Sequence, residues 1–125
     1  MSGFVYFIRP IGMPGPVKIG HSLNPQTRLG ELQRWSPVLL EVAVMVPGNQ
    51  KLERRIQNSF ADLHSHGEWF KADDRLSKAV VDLQAGFPPE VAIDFTPRGN
   101  VLGKTIRATM ARNGSDYYRG KRQVA

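Results

Sequence analysis

Charged and phenolic side chains stand in or beside apolar segments in the first half of this sequence. Tyr6 and Lys18 each interrupt a short apolar run. Arg28 and Glu53 lie on or beside the apolar faces of predicted helices. Burying such groups is costly unless they pair or bind something. Together they suit an anion such as a phosphate and a metal ion, so we interpret them as a candidate site.

The chemistry that these residue types could do is phosphodiester hydrolysis. This reaction needs an activated water, stabilised charge on the phosphate oxygens and an electrophile at the leaving oxygen. Glu53 is the candidate ligand for Mg²⁺ or Mn²⁺, because one carboxylate with bound waters and a substrate phosphate suits such an ion. Arg28 is the candidate phosphate clamp, since its planar guanidinium can contact two oxygens and keeps its proton.

Tyr6, Lys18 and His21 are the remaining candidates for catalysis. Tyr6 could orient or deprotonate the attacking water, and a nearby cation would help by lowering its pKa. Lys18 could be that cation, bind the phosphate or activate water itself. His21 could move a proton or donate to the phosphate, and a solvent-facing histidine at a strand end is the alternative. Structural roles, such as surface ion pairs and packed side-chain stems, are the alternatives for the others.

Two strands with a turn-rich linker must position the first of these residues. The pattern predicts strands at residues 3–9 and 16–21, joined by a linker with two prolines and two glycines. A hairpin centred on Gly12 would place Tyr6 directly opposite Lys18, with their Cβ atoms about 5 Å apart. The predicted hairpin therefore joins two of the candidate residues.

Helices and one more strand follow. Asn24-Pro25 is a good helix start, with a capping side chain followed by proline at the first helical position. Apolar periodicity predicts that this helix runs to about residue 35 and that further helices cover 50–64 and begin at Asp73. The apolar run 38–46 predicts a buried strand. The order βαβα predicts a small α/β or α+β domain around a three-stranded sheet.

The charge of the chain is concentrated at one end. Residues 1–95 hold ten basic and ten acidic side chains, so the net charge of +6 lies entirely in residues 96–125. We therefore divide the chain into a domain at 1–86 and a linker with a basic extension at 87–125, which includes one short predicted helix. Such an extension is typical of polyanion binding, and a solubilising end is the alternative. The candidate nucleic-acid-binding residues are Arg98, Lys104, Arg107, Arg112, Arg119, Lys121 and Arg122.

Composition excludes several classes of protein. The absence of cysteine excludes disulfides and thiolate metal sites. The sequence shows no signal-peptide pattern and no apolar stretch long enough to cross a bilayer. We therefore expect a cytoplasmic protein that does not bind a membrane.

A series of short motifs in a fixed order carries a resemblance to a known family. In chain order these motifs are Gly3-Phe4-Val5-Tyr6, Lys18-Ile19-Gly20, Ser22, Asn24-Pro25, Arg28, Glu53 and Gly67-Glu68-Trp69-Phe70. Their order resembles the GIY-YIG nuclease superfamily over residues 3 to about 85, and most of all a compact phage and bacterial branch. Lysine stands here in place of the second family tyrosine. Leu32 stands where many members have a histidine or tyrosine.

The resemblance implies a fold and an activity. The fold is α+β, with a small three-stranded antiparallel sheet flanked by about three helices and followed by the basic extension. The activity is that of a DNA endonuclease in which Tyr6 acts in catalysis and Glu53 holds the one metal ion. Cleavage of both strands could require a homodimer. Two alternatives stay open: a nucleic-acid-binding module that has lost catalysis, and a nuclease acting on RNA.

Overall fold

Five strands and four α-helices form the part of the chain that the computed structural model describes, residues 3–96. The strands are β1 (Phe4–Pro10), β2 (Val17–Ser22), β3 (Leu40–Pro47), β4 (His64–His66) and β5 (Trp69–Phe70). The helices are α1 (Pro25–Gln33), α2 (Gln50–Ser59), α3 (Asp74–Gln84) and α4 (Pro89–Ala92), with a 3₁₀ turn at Ala61–Leu63.

The strands form one antiparallel sheet in the order β3-β1-β2-β5-β4. The prediction of three strands and about three helices is therefore wrong. The two missed strands hold three and two residues, which is too short for an alternating pattern to show. The fourth helix has four residues and begins directly after Pro88, so it has no apolar periodicity of its own.

Alternate residues of β1 face two different cores. Val5 and Phe7, both fully buried, pack in the larger core with residues of α2 and α3. Tyr6 and Ile8 belong to a smaller core, against which Leu29 of α1 packs. Because successive side chains of a strand point to opposite faces, α1 covers one face of the sheet, and α2 and α3 cover the other. The run Phe4–Ile8 is apolar throughout because both faces are covered.

The hairpin register differs from the prediction by two residues. Tyr6 lies opposite Gly20, and Ile8 lies opposite Lys18, so the pairs are symmetrical about Met13. The prediction of a hairpin centred on Gly12 is wrong because residues 11–16 all belong to the connection. A shift of two residues keeps every side chain on its face. Tyr6 and Lys18 therefore still share a face, as diagonal neighbours.

Side-chain caps fix where the three longer helices begin. The side-chain oxygen of Asn24 accepts a hydrogen bond from the backbone N–H of Thr27, and Pro25 is the first residue of α1, as predicted. Asn49 caps α2 by the same contact to Leu52. Asp73 caps α3, and the predicted apolar face of that helix is buried. These caps set the residues at which α1 and α2 start along the sheet.

The segment after α3 packs on the larger core. Ile93 is 3% exposed and belongs to that core, and Phe95 packs against it. The guanidinium carbon of Arg55 lies 4.1 Å from the centre of the Phe95 ring. The seven basic residues from Arg98 to Arg122 lie outside the described residues. Within residues 3–96, no helix is both long and apolar enough to cross a membrane.

Candidate active site

Tyr6 lies at the centre of the candidate site, on the α1 face of the sheet. It is 1% exposed and sits across from Gly20. A Cβ atom at position 20 would overlap the Tyr6 hydroxyl, so glycine is required there for space rather than for backbone conformation. The tyrosine ring therefore lies over β2 in the room that the missing side chain leaves.

Arg28 brings a guanidinium to the Tyr6 hydroxyl. It lies in the first turn of α1, donates a hydrogen bond to Tyr6, and forms an ion pair with Glu31 at 2.9 Å. Burial raises the pKa of Tyr6 above 10, and the hydrogen bond from Arg28 opposes this rise. The hydroxyl therefore keeps its proton at neutral pH. Arg28 is therefore a cation that acts on the Tyr6 pKa.

Lys18 is buried and forms an ion pair with the partly exposed Glu68. Its side chain is 9% exposed, and its Nζ lies 3.1 Å from Oε1 of Glu68. The same nitrogen lies 5.7 Å from the centre of the Trp69 ring, within the range of a cation–π contact. Because β5 pairs Trp69 with Lys18, this short strand places the Trp69 ring, and the Glu68 carboxylate one residue before it, beside the ammonium.

Glu53 joins the same cluster from α2. Its half-buried carboxyl is hydrogen-bonded to Glu68. Burial, followed by the charge of Glu68 and this hydrogen bond, raises the pKa of Glu53 from 4.5 to about 7. Arg54 and Lys18 oppose the rise. The Glu53 carboxyl is thus harder to ionise than an exposed one, and a bound cation would favour its ionised form.

Backbone contacts of Ile19 fix the segments that carry the two carboxyls. Its N–H donates to the carbonyl oxygen of Glu68 at 3.0 Å. Its carbonyl oxygen accepts a hydrogen bond of 2.9 Å from the side-chain amide of Gln57, which is 5% exposed. Gln57 lies one helical turn after Glu53. This amide therefore fixes α2, and with it Glu53, relative to β2.

Four of the predicted site residues are thus brought together, and one is not joined to them by a described contact. Arg28 contacts Tyr6, and Glu68 joins Lys18 to Glu53. His21 lies opposite Val5, so its side chain is on the other face of the sheet from Lys18. Its predicted catalytic role stays a prediction.

Two residues in these contacts, Glu68 and Gln57, are not among the predicted site residues. The sequence names Glu68 only within the motif Gly67-Glu68-Trp69-Phe70. Its contact with Lys18 depends on a two-residue strand that no periodicity reveals. For Gln57 a signal was present: it lies four residues after Glu53, and a polar residue next to Ile56 on a buried helix face needs a partner.

Comparison with models of protein families shows to which family the chain belongs. The family model of the T5orf172 domain matches residues 3–85, about two thirds of the chain. This chain belongs to the T5orf172 domain family. The assignment to the GIY-YIG superfamily is wrong, because the model that matches is that of a different family. No curated protein and no solved structure matches the chain.

The wrong family name has a physical explanation. Each motif that carried the resemblance is short, and a tyrosine in a strand or a glycine in a turn is common in any small α+β domain. All the residues of the contact cluster lie inside the T5orf172 match. The T5orf172 domain is phage-associated and of nuclease-like or DNA-binding character, which is compatible with a nuclease role and specifies no mechanism.

Proposed function

We propose that this T5orf172-domain chain is a metal-dependent endonuclease that hydrolyses phosphodiester bonds of DNA. The observation that carries the proposal is the convergence of side chains from β1, β2, α1 and α2 at one end of β5. The Tyr6 phenol contacts the Arg28 guanidinium, the Glu68 carboxyl contacts both Lys18 and Glu53, and the charges of the two carboxyls act on the phenol. Stability alone gives little reason for this arrangement, because Tyr6 and Lys18 lose hydration when they are buried.

The Glu53 carboxyl is the candidate ligand for a divalent cation in this proposal, and the Glu68 carboxyl lies beside it. Burial first, and the neighbouring Glu68 second, raise the pKa of Glu53 to about 7, and a bound cation would favour the ionised carboxylate. Among residues 3–96, no group of three or more His, Cys, Asp or Glu side chains could hold a metal. A site with few protein ligands suits Mg²⁺ or Mn²⁺, with waters and substrate oxygens completing the coordination. When bound, the ion would stabilise negative charge on the phosphate and leaving oxygens.

Arg28 and Lys18 are the phosphate-binding groups in this proposal. The Arg28 side chain is 43% exposed and is held by Glu31 on the surface of α1, where a surface pair of this kind is weak. A phosphate can therefore take the place of Glu31. Lys18 is more deeply placed and supplies a positive charge close to the two carboxyls.

Tyr6 orients the attacking water rather than deprotonating it. Its hydroxyl accepts a hydrogen bond from Arg28, and its raised pKa keeps the proton in place at neutral pH. A neutral hydroxyl in this position can donate its proton in a hydrogen bond to a water or a phosphate oxygen. Of the two roles that the sequence left open for Tyr6, the orienting role has this support.

The basic residues from Arg98 to Arg122 supply affinity for the DNA backbone in this proposal. Residues 1–95 carry no net charge, so the +6 of the remaining residues is the charge available for phosphate contacts. Action on DNA inside a cell is part of the same proposal. The homodimer that double-strand cleavage could require stays a prediction.

Cleavage assays with a matched pair of variants test the proposal. Plasmid, linear duplex, single-stranded DNA and RNA are incubated with Mg²⁺, Mn²⁺ or EDTA and with native chain, Glu53→Gln or Glu90→Gln. Glu90 is an exposed carboxylate of α4 and serves as the control. We expect metal-dependent cutting of DNA that Glu53→Gln lowers by at least about 10²-fold, with Glu90→Gln unchanged. Salt-sensitive binding without cleavage would favour the binding module, and cutting of RNA alone would favour the RNA nuclease.

A further inference from the structure

Glu68 contacts both Lys18 of β2 and Glu53 of α2. Its Oε1 lies 3.1 Å from Nζ of Lys18, and its carboxyl is hydrogen-bonded to Glu53. Its own backbone is fixed, since its carbonyl oxygen accepts a hydrogen bond from Ile19. The Glu68 carboxylate thus starts from a fixed point of the sheet and reaches both Lys18 and Glu53.

Lys18 needs such a partner because of its own chemistry. A lysine side chain is a point charge on a flexible stem, and fixing its rotamers costs about 2 kcal/mol of entropy. With 9% of this side chain exposed, the ammonium has little water to replace a lost partner. The Trp69 ring borders the ammonium at 5.7 Å but carries no net charge. The Glu68 carboxylate is therefore what determines where the ammonium lies.

We propose that Glu68 is a positioning residue, whose carboxylate holds the Lys18 ammonium beside Glu53, where the ammonium can stabilise the charge that develops on the phosphate in the transition state. This inference rests on the proposed nuclease function and assigns a role to Lys18. Lys18 acts as a fixed cation, because a nitrogen that donates to a carboxylate at 3.1 Å is not placed to take a proton from water. Glu68 then acts on the reaction through Lys18.

A double-mutant cycle on cleavage tests whether Glu68 acts through Lys18. Glu68→Gln keeps the backbone contact to Ile19 and removes the charge. We expect it to lower kcat by about 10–100-fold, as the loss of a supporting partner does, with KM for the same DNA little changed. In a Lys18→Met background the same change should add little. Glu68→Asp should restore part of the lost kcat. Additive effects of the two single changes would overturn the proposal.

A second measurement decides the positioning role without any cleavage. Reductive methylation followed by peptide mass spectrometry gives the labelling rate of each lysine. Lys78, with 77% of its side chain exposed, is the internal reference. Relative to Lys78, Lys18 should label slowly in the native chain and several-fold faster in Glu68→Gln, with both chains labelled well below their own Tm. An unchanged labelling rate for Lys18 would overturn the positioning role. If the native chain cuts no DNA, the proposed function fails while the labelling result still decides the role of Glu68.

Discussion

Replacing Glu53 by glutamine should make the protein more stable at pH 8 while removing its activity. The pKa of Glu53 is about 7 in the folded chain against an ordinary value of 4.5. Between these two pH values the folded chain holds a proton that the unfolded chain has released. The stability that this carboxyl contributes is therefore full below pH 4.5 and is lost as the pH rises through 7. A glutamine resembles the protonated carboxyl at every pH and avoids the loss.

The size of the effect follows from the same values. One unit of pKa difference corresponds to about 1.4 kcal/mol, so the difference between 4.5 and about 7 sets a ceiling of about 3 kcal/mol. Solvent reaches this half-buried carboxyl, which reduces the expected gain to about 1–2 kcal/mol. Glu53→Gln and the native chain should then have similar free energies of unfolding at pH 5 and should diverge as the pH approaches 8.

Urea unfolding at pH 5, 6, 7 and 8 measures this difference, with Glu90→Gln as the exposed control. Saturating Mg²⁺ at pH 8 provides a second comparison. It should stabilise the native chain, by about 2.7 kcal/mol at one hundred times Kd, and leave Glu53→Gln unaffected. A Glu53→Gln chain that is less stable than the native chain at pH 8, or a difference that does not grow with pH, would refute the reasoning about the carboxyl pair.

The remaining predictions concern the C-terminal end of the described fold and the basic extension beyond it. A chain ending at Thr96 should bind duplex DNA more weakly than the full chain. Its plot of log Kobs against log salt should be shallower by up to about 6, at about 0.9 for each lost phosphate contact. Fluorescence anisotropy with labelled duplex DNA, at salt concentrations from about 50 to about 200 mM, measures this slope. An unchanged slope would exclude the extension as the phosphate-binding segment. Ile93→Ala should cost about 2–4 kcal/mol of stability because Ile93 is 3% exposed. Val91→Ala, at a side chain that is 65% exposed, should change it by less than about 0.5 kcal/mol. Equal urea midpoints for these two variants would show that the segment after α3 does not contribute to folding.

The longer elements of the fold were predictable because their signals are local. Asn24-Pro25 specifies a helix start through one cap and one fixed φ angle. The buried face of α3 follows from apolar residues spaced three and four apart. β4 and β5 have no such signal, since strands of three and two residues form only where β2 offers a free edge. Their formation depends on tertiary pairing that no local pattern encodes.

The sequence predicts which residues lie together in the candidate site better than it predicts which of them contact one another. Tyr6 and Lys18 were expected to be direct neighbours, and the observed register moves them two residues apart. A shift of two residues preserves the face of every side chain, whereas a shift of one would have put Tyr6 and Lys18 on opposite faces. Because the predicted and the observed register place Tyr6 and Lys18 on the same face of the sheet, both residues reach the site in either register.

Register does decide which groups pair within the site. Lys18 lies opposite Ile8 on one side and Trp69 on the other, and its ammonium contacts Glu68. Lys18, which was expected to lower the pKa of Tyr6, pairs with the Glu68 carboxylate instead. Arg28 is the cation that contacts the Tyr6 hydroxyl. Lys18 contacts Glu68 and not Tyr6, so it does not do what a second tyrosine next to Tyr6 would do. For this reason the roles proposed for Tyr6 and Lys18 rest on these contacts and not on the order of motifs in the sequence.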